Sequence, residues 1–500
     1  MPMHPLRPLL LSVLLLSACA SQVLNPVTGR TELSVMDEAA EIKEGAKAHE
    51  GVLQEYGVYA NPRLQAYVNE VGQKLAAQSH RANLKWTFTV LDSPEINAFA
   101  LPGGYVYVTR GIMAYLESEA ELAGVMGHEI GHVTARHGAQ RATREQAAGI
   151  GVLAASVLGA VLEAGGIGGA GNLAGQLSQT AAAGYIASYS RDQESQADQL
   201  GAEYLSRNRY DPRNMIDVIQ VLKRQEQFAA DMAKAEGKPA SSGASWLSSH
   251  PANDKRLADI QAYAARYKEQ SGYGDDGRAR YLQAIAGMTF GDSAEQGLVR
   301  GRNFYHQELG IALTAPAGWK IQNAPEAIAL VNPAGDAGLV VRLVPPKAGT
   351  THEEVIRNVV KPVDGRVERR SLHGLSATHF AGTVRNQQGQ SRNVALTLVT
   401  GPGDRNYWLQ QAAKSNEARQ RAQAGLAEAE ASFRAMTAAD KAAAKAWSVQ
   451  AAPYPRGGFA ELAKASPLPA GTAEAQLKLM NGVYGGGAEP KVGEMVKVVR

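Results

Sequence analysis

The sequence is poor in cysteine, in net charge and in long hydrophobic runs. Cys19 is the only cysteine among 500 residues, which excludes an intrachain disulfide. A net charge of +3 is small for this length and argues against a nucleic-acid partner. Beyond the amino-terminal segment no apolar run reaches about eighteen residues, the length that predicts a membrane-spanning helix.

The composition that remains is that of a folded protein. Hydrophobic residues make up 45% of the chain and charged residues 20%. Because 500 residues are too many for a single hydrophobic core, we expect about two or three domains.

The amino terminus carries an apolar run over residues 9–18 behind a short charged start. This arrangement predicts a secretory signal over residues 1–19 rather than a membrane span. Leu16-Ser17-Ala18-Cys19 resembles the lipobox of bacterial lipoproteins, which implies that Cys19 is lipidated and anchors the chain to a membrane. Ala20-Ser21 resembles signals sorted to the outer membrane of Gram-negative cells. An ordinary cleaved signal with an incidental cysteine is the alternative.

The stretch Gly127-His128-Glu129-Ile130-Gly131-His132 has residue types and a spacing that are typical of a metal-binding site. Residues four apart on a helix lie on one face, so His128 and His132 can bind the same metal ion. Glu129 stands beside that ion and can accept a proton from the attacking water, as in the HExxH pattern of zinc peptidases. The alternative is a helix with two solvated histidines.

A catalytic zinc needs a third protein ligand. Glu194 and Asp198 are four apart on a predicted helix, so one carboxylate can bind zinc while the other holds a zinc-binding imidazole. A solvated acidic helix face is the alternative. His137 would face roughly the opposite side of a continuing helix from His128, so we assign it a structural or supporting role.

Four segments occur in an order that resembles one family. They are NAFALPGGYVYVTRG, HEIGHVTARH, SYSRDQESQAD and SSHPANDKRL, and the resemblance covers roughly residues 25–270. They are similar to the HtpX/BepA-type gluzincin metallopeptidases, which are related to the CAAX prenyl proteases. The resemblance implies one zinc ion per chain, bound by His128, His132 and Glu194. It also implies Glu129 as general base and acid and Asp198 as a supporting residue.

Ser249-His250-Pro251 resembles the HP element of the same family, with Arg256 following it. His250 would contact the oxyanion of the transition state, or bind the zinc as a fourth ligand and keep the enzyme latent. The alternative is a loop histidine that stabilises the helix after Pro251.

The predicted fold class is α+β. We expect a mainly helical zincin-type metallopeptidase domain with a small edge sheet over residues 20–275, a linker over 276–300 and a smaller α/β accessory domain over 301–436. The strand at 105–108 is either an exposed edge that pairs with a peptide or part of a core hairpin. The accessory region weakly resembles PsbP-like domains, and residues 437–500 weakly resemble a LysM-like unit, which suggests peptidoglycan contact.

Two further segments follow the metal-binding motif. Residues 147–164 predict a buried or membrane-facing helix. Residues 165–171 contain a formal GxGxxG, but no strand precedes it, so we interpret it as a mobile loop near the site. No self-similarity near 34 residues is present, so partner recognition by tetratricopeptide repeats is not expected.

These observations predict a zinc-dependent endopeptidase of the bacterial cell envelope. Its expected substrates are misfolded or misassembled outer-membrane and periplasmic proteins, and its expected location is the periplasmic side of the outer membrane, with possible contact to the outer-membrane assembly machinery. The alternative is a chaperone-like assembly factor with latent or minor protease activity.

Overall fold

The computed structural model describes residues 21–34, 36–141, 189–235, 250, 254–324, 327–385 and 391–500. These residues form two compact units. The first unit contains the described residues up to Gly291 together with Trp447–Arg500, and the second contains Asp292–Ala446. Helices and sheets occur in both, and the predicted α+β class is confirmed.

The helices are numbered along the chain. They are α1 (Glu38–Tyr56), α2 (Pro62–Ala77), α3 (Arg110–Met113), α4 (Glu119–Thr134), α5 (Arg191–Arg207), α6 (Asn214–Ala235), α7 (Asp254–Ser271), α8 (Arg278–Ile285), α9 (His352–Val355), α10 (Asn416–Ala431), α11 (Ala438–Ala443), α12 (Gly458–Lys464) and α13 (Ala473–Met480).

The strands are numbered in the same way. They are β1 (Ser21–Leu24), β2 (Thr31–Ser34), β3 (Thr87–Leu91), β4 (Ala98–Leu101), β5 (Tyr105–Thr109), β6 (Thr289–Phe290), β7 (Leu298–Arg300), β8 (Asn303–His306), β9 (Ile311–Thr314), β10 (Lys320–Ala324), β11 (Ala327–Val331), β12 (Ala337–Leu343), β13 (Asp364–Leu372), β14 (Leu375–Arg385), β15 (Ser391–Thr400), β16 (Asn406–Ala413), β17 (Arg434–Ala435), β18 (Trp447–Pro453) and β19 (Met495–Val499).

Helix α4 lies at the centre of the first unit. Its amino terminus is capped by Ser118, whose hydroxyl accepts a hydrogen bond from the Glu121 backbone N–H. Every residue of α4 is buried, and α2, α5, α6 and β4 pack around it. A helix that is enclosed in this way holds the side chains it carries in fixed positions.

A small sheet beside α4 has the strand order β3-β5-β4. Strand β5 pairs in parallel with β3 and antiparallel with β4, so it is the middle strand. Residues 105–109 are therefore not an exposed edge. The alternative, that this strand is part of a core hairpin, agrees better with the structure. Strand β3 covers the side of β5 away from β4, and hydrophobic alternation cannot reveal such a parallel pairing.

Helices α4 and α5 approach each other closely. A Cβ atom added at Gly131 would lie 2.8 Å from the carbonyl oxygen of Ala197, and one added at Gly201 would lie 3.1 Å from the backbone nitrogen of His128. Because neither glycine has a side chain, the two backbones can pack at this distance. The metal-binding motif of α4 is thereby brought against the acidic residues of α5.

The carboxy-terminal residues complete the first unit. Strand β18 pairs with β19 and also with β6, and Lys497 on β19 is fully buried. The Lys497 ammonium lies 3.0 Å from a carboxylate oxygen of Glu117, just before α4, and donates to the Leu116 carbonyl. Burial lowers the pKa of Lys497, although Glu117 opposes that shift.

The units differ from the domain boundaries drawn from the sequence. Residues 276–291, expected within a linker, form α8 and β6 of the first unit, and Trp447–Arg500 also belongs to that unit. Local composition does not reveal this arrangement, because the paired strands β6 and β18 are separated in the sequence by the whole second unit. The LysM-like interpretation of the terminal segment stays a prediction.

The second unit is built on a seven-stranded sheet in the order β10-β11-β12-β16-β15-β14-β13. All neighbouring strands are antiparallel, and α10 packs its buried alanines and Leu426 against the sheet. The apolar segments at 311–315, 327–331, 338–344, 377–384, 393–400 and 406–412 predict short strands, and a strand is present at each. The sequence does not predict β10 or β13, because their polar and charged residues give no clear alternation of apolar positions.

Some predicted segments lie outside the described residues. These are the signal with its lipobox cysteine, the helix at 147–164 and the glycine-rich stretch at 165–171. Among the residues that the structure does describe, no helix is long and apolar enough to cross a membrane.

A methyl group at Gly131 is expected to force α4 away from α5. We expect Gly131→Ala to lower the free energy of unfolding by about 1–3 kcal/mol, as overpacked contacts do, measured by urea unfolding with circular dichroism. Gly51→Ala in α1 is the control, because its added Cβ meets no atom within 4 Å. Equal stability of the two variants would contradict the close approach of α4 and α5.

Candidate metal centre

The two histidines of α4 point at a common position. The Nε2 atoms of His128 and His132 lie 3.0 Å apart, as expected for imidazoles from consecutive turns of one helix face. Both side chains are buried, with 1–2% of their surface exposed. The predicted pair is therefore brought together in the interior of the first unit.

Helix α5 supplies a carboxylate to the same position. It begins at a capping box in which Ser190 and Gln193 bond each other's backbone N–H groups, and this places Glu194 in the first turn. The Glu194 carboxylate oxygens lie 3.4 Å from Nε2 of His132 and 3.7 Å from Nε2 of His128. The third predicted residue thus meets the two histidines.

A fourth donor comes from His250. Its Nδ1 lies 3.0 Å from a Glu194 oxygen and 3.2 Å from Nε2 of His128. One donor atom from each of His128, His132, Glu194 and His250 lies within 4.8 Å of the others. All four side chains are buried, so solvent does not compete for these donor atoms.

The spacing of these donors fits a zinc-sized ion. Ligand bonds of about 2.0–2.1 Å in a tetrahedron place the donor atoms roughly 3.3 Å apart. Five of the six donor separations run from 3.0 Å to 3.7 Å, and the sixth, between His132 and His250, is within 4.8 Å. Three imidazole nitrogens and a carboxylate oxygen are also a donor set that zinc accepts.

A buried ion pair lies behind His128, on the side of its imidazole away from the other donors. Asp198 lies 2.9 Å from Nδ1 of His128 and binds the Arg256 guanidinium at 2.7 Å and 2.8 Å. Burial alone would raise the pKa of Asp198, but the charge of Arg256 and the hydrogen bonds from Arg256 and His128 together keep that pKa below its usual value. The ionised carboxylate accepts the Nδ1–H of His128, which leaves the Nε2 lone pair directed at the centre.

The protonation states of two other donors also suit metal binding. Burial would raise the pKa of Glu194, but the neighbouring His250 and the hydrogen bonds from His132 and His250 hold it well below its usual value. Burial holds the pKa of His132 well below its usual value. The carboxylate is therefore ionised and the imidazole neutral, the forms in which both residues bind metals.

Glu129 lies beside the donor cluster without belonging to it. It is fully buried, and its Oε1 lies 3.5 Å from Nε2 of His250. This is the position expected for a residue that exchanges protons with a molecule bound at the centre.

His137 is closer to the site than a continuing helix would allow. Helix α4 ends at Thr134, and Arg136 adopts a positive φ of 55°, so the chain turns back. Nδ1 of His137 then lies 2.8 Å from Nδ1 of His132, and its Nε2 lies 3.1 Å from the Gln196 amide oxygen. The expected orientation was wrong because the helix stops earlier, whereas a supporting position agrees with the structure.

Tyr189 was not singled out by the sequence. Its ring stacks on the His132 imidazole with centroids 3.9 Å apart and an angle of 20° between the planes. The residue precedes the cap of α5, so it belongs to no helical stripe, and the only available signal was its adjacency to the motif that carries Glu194.

The fold and the site define a metallopeptidase domain in which an HExxH helix is completed by a glutamate on a second helix. Residues 62–264 match peptidase family M48. This segment, about two fifths of the chain, is therefore similar to M48 metallopeptidase domains, and the predicted HtpX/BepA-type resemblance is confirmed.

Curated relatives match this region. The beta-barrel assembly-enhancing protease of Yersinia pestis is 34% identical over 214 residues, which cover 42% of this chain and 40% of that protein. The mitochondrial metalloendopeptidase OMA1 of Schizosaccharomyces pombe is 30% identical over 243 residues, which cover 48% and 65% of the two chains. The chain thus spans about two fifths of the bacterial relative's length.

The solved structure of cyanobacterial PsbP from Synechocystis sp. PCC 6803 is also similar, at 12% identity and a TM-score of 0.20. The match covers 28% of this chain and 98% of that one. A TM-score this low carries no argument about the fold, so the PsbP-like interpretation of residues 301–436 stays a prediction.

Replacing Asp198 with asparagine removes the charge that fixes the His128 imidazole and pairs with Arg256. We expect Asp198→Asn to weaken metal affinity by about 10- to 100-fold, measured by competition with a chelator. Asp259→Asn is the control, because its carboxylate pairs with Lys255 on the surface of α7, 2.6 Å away. An unchanged affinity in Asp198→Asn would remove Asp198 from a supporting role.

Proposed function

We propose that the protein is a zinc-dependent endopeptidase with one zinc ion per chain, held by His128, His132 and Glu194. The convergence of these three buried side chains, with Glu129 beside them, is the observation that carries the proposal. Zinc bound there would polarise the scissile carbonyl and lower the pKa of a water molecule.

Glu129, Asp198 and Arg256 have the other roles in the proposed reaction. Glu129 accepts the proton of the attacking water and later delivers a proton to the leaving amine. Asp198 orients His128 through its Nδ1–H, and Arg256 holds Asp198 in place. Because the site is buried, bulk water does not screen these interactions.

We further propose that the substrates are misfolded or misassembled proteins of the outer membrane and periplasm. The name of the bacterial relatives, beta-barrel assembly-enhancing protease, supports this substrate class and a link to the outer-membrane assembly machinery. An identity of 34% over the peptidase region supports a shared peptidase chemistry more strongly than it supports shared partners.

The proposed location is the periplasmic face of the outer membrane of a Gram-negative bacterium, with a lipid anchor on Cys19. The lipobox-like sequence before Cys19 supports this anchor. Metabolic labelling with palmitate should mark the full chain and not Cys19→Ala. Label retained in that variant would exclude lipidation at Cys19.

The general base has the most direct test. We expect Glu129→Gln to keep its metal and to lose at least about 100-fold in the rate of casein cleavage, because the amide cannot accept the proton. Metal content is measured by mass spectrometry on the same preparation. Glu70→Gln is the matched control, since Glu70 is exposed on α2 and pairs with Lys74. Cleavage by Glu129→Gln at the control rate would refute the assigned role.

A second candidate is a chaperone-like assembly factor whose protease activity is latent. The observation that favours it is His250, whose Nδ1 lies among the other three donors and would occupy the coordination position that a substrate needs.

If His250 blocks the site, His250→Ala should raise casein cleavage per bound zinc. The change opens the fourth position and leaves His128, His132 and Glu194 in place. His373→Ala, at an exposed position of the second unit, is the control. A fall in cleavage would instead assign His250 to the transition state and remove the support for latency.

A further inference from the structure

Strand β13 forms an outer edge of the seven-stranded sheet. All nine of its residues pair with β14, and among the described residues no strand pairs with its other side. Residues 364–371 are exposed, and Leu372 is half-buried. Every second residue of β13 therefore directs its backbone N–H and C=O groups away from the sheet.

A long exposed edge of this kind is a template for another strand unless its side chains prevent pairing. Strand β13 is rich in charge, with the sequence DGRVERRSL. Charges block edge pairing when like charges meet, and they specify it when opposite charges meet. The order of the charges along β13 therefore decides which partners are allowed.

A second copy of the same strand can add only antiparallel and about a two-fold axis perpendicular to the sheet. Rotation about that axis leaves each face of the sheet on the same side. Even-numbered residues of one copy therefore lie opposite even-numbered residues of the other, and odd-numbered opposite odd-numbered. With β13 spanning residues 364–372, three such registers pair seven or more residues. Their axes pass through residues 367, 368 and 369.

Only the first of these registers brings opposite charges together without like ones. With Val367 on the axis, Asp364 faces Arg370 of the second copy and Arg366 faces Glu368, and each pair occurs twice. An axis at Glu368 sets glutamate against glutamate and Arg366 against Arg370. An axis at Arg369 sets arginine against arginine. Electrostatics thus select one closed register.

Two valines add apolar surface to this edge. Val363 and Val367 are 53% and 48% exposed, so each side chain leaves about half of its apolar surface in water. Val367 also lines an open cleft of about 350 Å³ with Ile356 and Pro362. In the selected register the two Val367 side chains meet on the axis and cover each other.

The other contacts of β13 are compatible with pairing. Arg370 bonds Glu368 of its own strand at 3.0 Å and 3.1 Å, and Arg369 lies 3.6 Å from Glu353. In the selected register Gly365 faces Arg369 of the second copy, on the face of the sheet where the Phe380 ring covers Gly365.

We propose that two copies of this chain associate through β13, antiparallel and with Val367 on the two-fold axis, to join their seven-stranded sheets. The interface is isologous, so it closes after two copies and does not propagate.

Cysteine cross-linking tests the register in the full-length protein, whose only native cysteine is Cys19. Val367→Cys places two thiols across the axis, and a short bifunctional thiol reagent should convert the chain to a covalent dimer on a denaturing gel. Val363→Cys is the matched control, since it is similarly exposed but lies about 27 Å from its symmetry mate at roughly 3.4 Å per residue. The parent chain gives the background from Cys19. Cross-linking in both variants, or in neither, would overturn the register.

A charge exchange tests the pairing itself, with sedimentation of the detergent-solubilised full chain as the measurement. Asp364→Arg sets arginine against Arg370 twice and should weaken the dimer by roughly tenfold or more. The double variant Asp364→Arg/Arg370→Asp restores opposite charges and should recover association. A monomeric parent chain, or a double variant no better than the single one, would overturn the proposal.

Discussion

The site depends on one packing constraint, the close approach of α4 and α5. The carboxylates of Glu194 and Asp198 reach His128 and His132 only because the two backbones are separated by little more than van der Waals contact at Gly131 and Gly201. Small residues on both helices are therefore as necessary as the donor residues. This explains why the metal-binding motif, a local pattern on one helix, becomes a site only in the folded unit.

The second requirement is electrostatic. Glu129, Glu194 and Asp198 are carboxylates in a buried volume, and uncompensated burial would force them to take up protons. Arg256 offsets two of them, lying 2.9 Å from Glu194 and 2.7 Å from Asp198. A divalent cation among the donors would offset the remaining charge, so metal binding and the stability of this region are expected to be linked.

Much of the site was predictable because its chemistry lies in residue spacings that a helix converts into geometry. The spacing of four residues between His128 and His132, and again between Glu194 and Asp198, places each pair on one face. Tyr189 and the turn at Arg136, which brings back His137, depend on how the two helices end, and a non-glycine residue with positive φ has no marker in the sequence.

The fold was predictable from the sequence to about the same extent as the site. Buried strands of the second unit follow from their apolar patterns, whereas β13 is exposed and charged and has no such pattern. The pairing of β6 with β18 joins residues about 160 positions apart, and no local signal specifies a contact over that distance. Sequence patterns therefore locate elements that bury apolar faces and miss those defined by distant partners.

The central claim is that the buried donors bind a catalytic metal. The most direct measurement is the metal content of the purified full-length protein by mass spectrometry, paired with casein cleavage with and without a chelator. We predict one zinc ion per chain and cleavage that the chelator abolishes and added zinc restores. A folded protein without stoichiometric metal, or cleavage that persists after the metal is removed, would contradict the account.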